Sequence, residues 1–248
     1  MPFVLRRAAL MFLGLCLLTA APALAEKVML DNSNPPFMFD GGGKKENGLY
    51  PAVLAEAFKR MGVPLEMETV PWKRAISAID AGEAGVGGIY KNEERLKKYD
   101  YSEKLFDEVI MVYAPKGKEF EFKDVSSLNG KTVGVLQGWS YGDDFDAAVK
   151  AGKITAETAE NDALNFKKLA AGRLDAILAI RESGTANLGA PEIASAVVAL
   201  PAPLSSSPSF LAFNKSAAKA DVLAKFNTAL DQMKKDQTMD KLIKETLK

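Results

Sequence analysis

Arg95 is the side chain in this sequence whose chemistry is easiest to name. A guanidinium presents a planar fork of donors that matches a carboxylate two for two, which lysine cannot do. Asn92 precedes it as a helix cap, and Glu93, Glu94, Lys97 and Lys98 surround it. Arg95 therefore reads either as an anion-binding residue or as one solvated member of a charged helix. Gly87, Gly88 and Tyr90 lie just upstream. Glycine there lets a ligand approach the main chain, or lets a strand pack too tightly for side chains, and Tyr90 offers a ring or a hydroxyl. Trp139 and Ser140 occupy a turn before a helix expected from about Tyr141. Free backbone N–H groups at such a helix start favour an anionic group, unless Asp143 and Asp144 already satisfy that end. Both tryptophans of the chain, Trp72 and Trp139, fall where loops should meet. With Phe37, Tyr90 and Tyr141 they can form an aromatic box for a cationic or flat group, although the helical spacing around Trp72 also suits a core residue. Arg74 reads as a surface arginine or a second anion partner.

Composition removes several other chemistries. The chain has no histidine and one cysteine, Cys16. Zinc, copper and haem sites of the usual kinds lack ligands, so no metal or cofactor is expected. Catalysis by a Ser-His or Cys-His pair is excluded. The first 25 residues read as an export signal: Arg6 and Arg7, an apolar run from Ala8 to Ala20, then Ala23-Leu24-Ala25 before the cut. Cleavage after Ala25 takes Cys16 with it, so a disulfide is impossible in the mature chain. It also leaves 30 basic residues against 32 acidic ones, because the removed segment contains two arginines and no acid. With no basic stripe, nucleic acid is not an expected partner. The chain itself is expected to be exported to the periplasm and to act as a soluble monomer.

Hydrophobic spacing alternates between strand and helix. Strands are expected at 27–30, 65–70, 85–90, 105–113, 131–136, 174–179, 194–200 and 209–214. Helices are expected at 51–61, from Trp72 to the Gly82 stop, after Asn92, from about Tyr141, from the Asn161 cap to Gly172, and from about Ala218 to the end. Residues Pro201 to Pro208 read as a Pro/Ser-rich connection. Such alternation argues for an α/β architecture of largely parallel sheets flanked by helices, with ligands at the carboxyl ends of strands.

Several motifs in this order resemble the family 3 extracellular solute-binding proteins, the polar amino-acid receptors of ABC importers. They are Pro35-Pro36-Phe37, Gly48-Leu49-Tyr50, Pro71-Trp72-Lys73-Arg74-Ala75, Asn92-Glu93-Glu94-Arg95 with Tyr99-Asp100-Tyr101-Ser102, Val133 to Gly138, and Gly172-Arg173-Leu174-Asp175-Ala176. The resemblance implies the two-lobed type II periplasmic-binding fold. Residues 26–112 and 206–248 would form a discontinuous first lobe and residues 113–205 the second. A hinge would run through Tyr113-Ala114-Pro115 and Pro201 to Pro208. It also implies that Arg95 holds a ligand carboxylate and that an inner-membrane ABC permease, or a membrane sensor, recognises the closed form. Where family members usually carry an aspartate for the ligand ammonium, this chain has Ile180, followed by Arg181 and Glu182. An ammonium would need another carboxylate, Glu182 or Asp31, and Arg181 would favour a second acidic group. The expected function is delivery of a small polar solute by hinged closure. The alternatives are a dehydratase of the cyclohexadienyl type, with Glu182 or Asp31 as acid or base, and a sensory input module.

Overall fold

The structure, a computed structural model, describes residues 24–41 and 46–247. The expected export signal lies outside the described residues except for Leu24 and Ala25. Strand β1 (Glu26–Asp31) leads into three short strands, β2 (Ser33–Asn34), β3 (Met38–Asp40) and β4 (Glu46–Asn47), and then helix α1 (Leu49–Met61). Next come β5 (Leu65–Val70), α2 (Trp72–Asp80), β6 (Gly85–Tyr90), α3 (Glu93–Lys98) and the long strand β7 (Tyr99–Pro115). The middle of the chain gives β8 (Thr132–Leu136), α4 (Asp143–Lys150), β9 (Thr155–Ala159), α5 (Asp162–Ala170), β10 (Ala176–Ile180), α6 (Arg181–Leu188) and α7 (Pro191–Ala196). The second long strand, β11 (Val197–Asn214), and helices α8 (Ala220–Lys235) and α9 (Thr238–Thr246) complete it.

One curled eight-stranded sheet runs β5-β1-β6-β11-β7-β10-β8-β9. Strands β5, β1 and β6 are parallel at one end, and β10, β8 and β9 are parallel at the other. Between them β7 and β11 run antiparallel to each other for most of their length. Each long strand thus belongs to both ends of the sheet.

The cores follow from side-chain period. On α1 the buried residues Leu49, Tyr50, Val53, Leu54, Ala57 and Phe58 form one face, with Phe58 packed on Phe226 of α8 at 5.6 Å between ring centroids. Toward the other end, alternate residues of β7 and β10 separate into two clusters. Ile110, Val112, Ala176 and Leu178 join one with Phe145 and Leu128, while Met111, Tyr113, Ile177 and Ala179 join the other with Phe166 and Ile193.

Three expectations are corrected here. Pro201 to Pro208 is part of β11, not a connection: its register against β7 shifts around Pro203, where proline cannot donate to the ladder. Residues 194–196 belong to α7, entered through Pro191 at its first turn. The C-terminal segment is two helices, because Gln237 sits at φ 65° between them. Among the described residues no helix is long and apolar enough to cross a membrane, and no cluster of three metal-ligating residues occurs.

Candidate functional site

The two parallel ends of the sheet point their carboxyl edges at one another, and a cavity of about 310 Å³ lies between them. Asp31 ends β1 and Pro71, Trp72 and Lys73 follow β5; across the cavity, Leu136 and Gln137 close β8, and Glu160 and Asn161 follow β9. This is where an α/β sheet presents loops and helix starts to a ligand.

Asp31 is its chemical centre. The residue is only 2% exposed. Its Oδ1 accepts from the Ser33 backbone at 2.9 Å and its Oδ2 accepts the Trp139 indole N–H at 3.2 Å. The Ser33 hydroxyl lies 2.9 Å from both Asp31 Oδ1 and the Glu160 carbonyl, so its single proton serves one side or the other. Burial raises the Asp31 pKa against these donors. Among the described residues no cation pairs with it, and the indole uses one of the two hydrogen bonds that Oδ2 can accept.

Tryptophans wall the cavity. The rings of Trp72 and Trp139 are 5.8 Å apart and tilted by 47°, and Tyr90 meets Trp139 edge-on at 5.7 Å. Trp72 is anchored across the gap by donating to the Gly138 carbonyl at 3.1 Å. Gly138 has φ 78°, a conformation that suits glycine, and its tight turn presents that carbonyl.

Arg95 takes a different place from Asp31. It is 9% exposed and lines an adjoining pocket of about 250 Å³ with Asp80, Ser140 and Asp146. Trp139 is the one residue lining both cavities. The guanidinium donates to the carbonyls of Tyr90 at 3.1 Å and Gly138 at 3.3 Å, stitching the two sides together. No carboxylate lies within ion-pair distance among the described residues, and burial lowers its pKa.

The helix start after Trp139 differs from expectation. Helix α4 begins at Asp143, and its own Asp146 accepts from the Ser140 hydroxyl at 2.6 Å and the Tyr141 N–H at 3.3 Å. Donors expected to be free for an anion are thus already occupied. Ser140 also accepts from Asn92 Nδ2 at 3.1 Å. Tyr141 is buried and takes the Leu136 N–H on its hydroxyl.

The structure leaves the remaining candidates outside these cavities. Phe37 is fully buried, stacked on Tyr50 at 5.6 Å. Gly88 is a packing residue: a Cβ there would lie 2.7 Å from the Tyr50 ring and 2.9 Å from Met38 Cε. The Tyr90 hydroxyl donates to Glu108, as does that of Tyr50, away from the cavity. Arg181 is exposed at the start of α6, and Glu182 beside it has one buried oxygen without a partner. Arg74 pairs with Glu68 on the surface at 3.6 Å.

Sequence reasoning did not reach Ser33, Lys73, Gln137, Glu160 and Asn161 as cavity residues. The usable signal was position, one to three residues past a parallel strand. For Glu160 and Asn161 that signal was absent, because Thr155–Ala159 has too little apolar character to read as a strand.

Comparison with known proteins agrees with this architecture. The family model for bacterial extracellular solute-binding proteins, family 3, matches residues 27–247. The L-cystine-binding protein TcyJ of Escherichia coli K12 is 28% identical over 217 residues, 87% of this chain and 79% of that protein. An ancestral arginine-binding protein bound to arginine superposes with a TM-score of 0.75 at 28% identity, covering 90% of this chain and 97% of that one. An ancestral amino acid-binding protein described as a precursor of cyclohexadienyl dehydratase gives 0.72 at 26%, with 90% and 96% covered. With its sheet order, its facing strand ends and a family match over nearly its whole length, the chain belongs to the bacterial extracellular solute-binding proteins, family 3.

Proposed function

We propose that this solute-binding protein closes on a small molecule carrying a cationic amine, of the amino-acid class, with Asp31 as the counter-charge. The observation that carries this is Asp31 itself: a carboxylate held out of water, without a cation of its own, on a cavity walled by two indoles. Burying an unpaired charge is costly, so an ammonium entering between Trp72 and Trp139 gains a charge-assisted bond and aromatic faces together. Arg95, behind the shared wall of Trp139, is the group for a carboxylate on the same solute. Relatives that bind cystine and arginine support the amino-acid class.

Closure supplies the mechanism. The bonds across the gap, among them Trp139 to Asp31, Trp72 to Gly138, Arg95 to Gly138, Asn92 to Ser140 and Ser33 to Glu160, exist only when the two sides meet. A solute bridging them shifts the population toward that form. We place the hinge where β7 and β11 cross between sides, with residues 26–112 and 206–248 on one and 113–205 on the other. An inner-membrane permease of an ABC importer reads the closed shape, and the chain acts as an exported periplasmic monomer after cleavage at Ala25. It performs no chemistry on its solute. Glu108, the carboxyl most strongly perturbed by burial, is sealed by Tyr50 and Tyr90 and lines none of the described cavities.

The test is thermal denaturation against amino acids, alkylamines and dicarboxylates, followed by calorimetry on those that raise the midpoint. Amine-bearing solutes should stabilise the protein and dicarboxylates without an amine should not; the reverse order contradicts the proposal. Incubation with prephenate or arogenate should leave both unchanged.

A further inference from the structure

Asp31 and Arg95 each lack an ion-pair partner among the described residues, and they stand in separate cavities with the Trp139 indole common to both walls. That indole is held in place: its N–H is on Asp31 at 3.2 Å, and the rings of Trp72, Tyr90 and Tyr141 lie 5.8, 5.7 and 6.5 Å from its own. Atoms in contact with the two faces of an aromatic ring are about 7 Å apart, twice the best separation of two carbons. In an α-amino acid a single carbon separates the ammonium from the carboxylate. Its two charges are too close together to reach Asp31 and Arg95 at once.

Neither cavity serves such a molecule alone. Three carboxylates line the Arg95 pocket, Asp80, Glu94 and Asp146, and each already has a donor. Asp80 accepts the Tyr99 hydroxyl at 2.6 Å and lies 3.5 Å from the Lys98 ammonium. Glu94 pairs with the same lysine at 2.9 Å, and Asp146 holds Ser140 and the Tyr141 N–H. An ammonium beside a carboxylate on Arg95 would lose its water without gaining a counter-charge of its own. In the Asp31 cavity the one cation among the described lining residues is Lys73. It is exposed, and a solvated lysine pairs weakly with a carboxylate.

We infer that the solute is an ω-amino acid, with its amine on Asp31, its carboxylate on Arg95 and no ammonium beside that carboxylate. Six bonds of about 1.5 Å laid out in a zigzag span about 7 Å, so a chain of about six carbons joins the two groups. This inference rests on the assignment of the amine to Asp31, and the two are separable by experiment.

Calorimetry on the unaltered protein would compare isomers that carry the same two groups: 4-aminobutanoate with 2-aminobutanoate, 5-aminopentanoate with norvaline, and 6-aminohexanoate with norleucine. In the tightest-binding pair the terminal amine should win by at least about tenfold. Lysine, which adds an α-ammonium to 6-aminohexanoate, should bind more weakly than it does. Hexylamine and hexanoate, each with one of the two groups, should also bind more weakly. Arg95→Gln weakens closure for every solute, but it should also erase the gap between 6-aminohexanoate and hexylamine, because only the first has a carboxylate to lose. An α-isomer that binds as tightly as its terminal partner, lysine binding more tightly than 6-aminohexanoate, or a gap that survives Arg95→Gln overturns the inference and leaves the amine on Asp31. A gap that closes in Lys73→Gln instead seats the carboxylate at Lys73 and overturns it as well. If hexanoate matches 6-aminohexanoate, or no amine binds, both assignments fall.

Discussion

Asp31 and Glu108 are both carboxylates removed from water, 2% and 1% exposed, and neither has a cationic partner among the described residues. Their surroundings differ in the way that decides function. Glu108 lies on β7 where the two ends of the sheet join, and two tyrosine hydroxyls close over it, one of them braced by Ser209 at 2.7 Å. Burial pushes its pKa up to about 8. Asp31 receives its indole donor from the opposite side of the gap and faces a cavity. On the proposed reading, a buried carboxylate sealed by its own fold is structural, and one whose donors come from across the gap is the binding group.

The largest effect that would sharpen this contrast is Asp31→Asn. Losing the charge of a buried ion pair should cost about 3 kcal/mol of affinity for an amine ligand by calorimetry, with ligand-free stability unchanged or raised. Next is Arg95→Ala, which removes two charge-assisted bonds to the Tyr90 and Gly138 carbonyls and should cost about 2 kcal/mol of affinity by destabilising the closed form. Trp72→Phe keeps the ring wall but loses the bond to Gly138, for about 1 kcal/mol.

Glu108→Gln should leave affinity alone and change stability instead. The Glu108 pKa is raised on folding from an ordinary 4.5 to about 8, so the folded state holds a proton that the unfolded chain releases. Stability from this group is fully present below pH 4.5 and is lost as pH rises toward 8. The variant should therefore flatten the fall in denaturation midpoint between those values. A loss of affinity in Glu108→Gln, or none in Asp31→Asn, would break the comparison.

Much of the architecture was legible because its signals are local. The face of α1, the caps Asn92 and Asn161, and the buried run of β6 all follow from residue type and spacing, and the structure shows both caps accepting the backbone N–H three residues on. What escaped was set by distant partners. β9 forms because β8 offers a parallel edge from Thr132 to Leu136, although Thr155–Ala159 alone has no pattern to announce it. β11 tolerates Pro201 and Pro203 because its pairing with β7 shifts register there. The site shows the same division. Asp31, Trp72, Trp139 and Arg95 could be named from type and position. That Trp139 would stand between Asp31 and Arg95, and that a glycine carbonyl would receive both Trp72 and Arg95, depends on two loops 66 and 43 residues apart in sequence from their partners.

A crystal structure of the protein with the solute it carries through purification tests the central claim most directly. We expect a nitrogen of that solute within about 3 Å of the Asp31 carboxylate, between the rings of Trp72 and Trp139. A solute without a cationic nitrogen, or one seated where Asp31 does not touch it, would contradict the account.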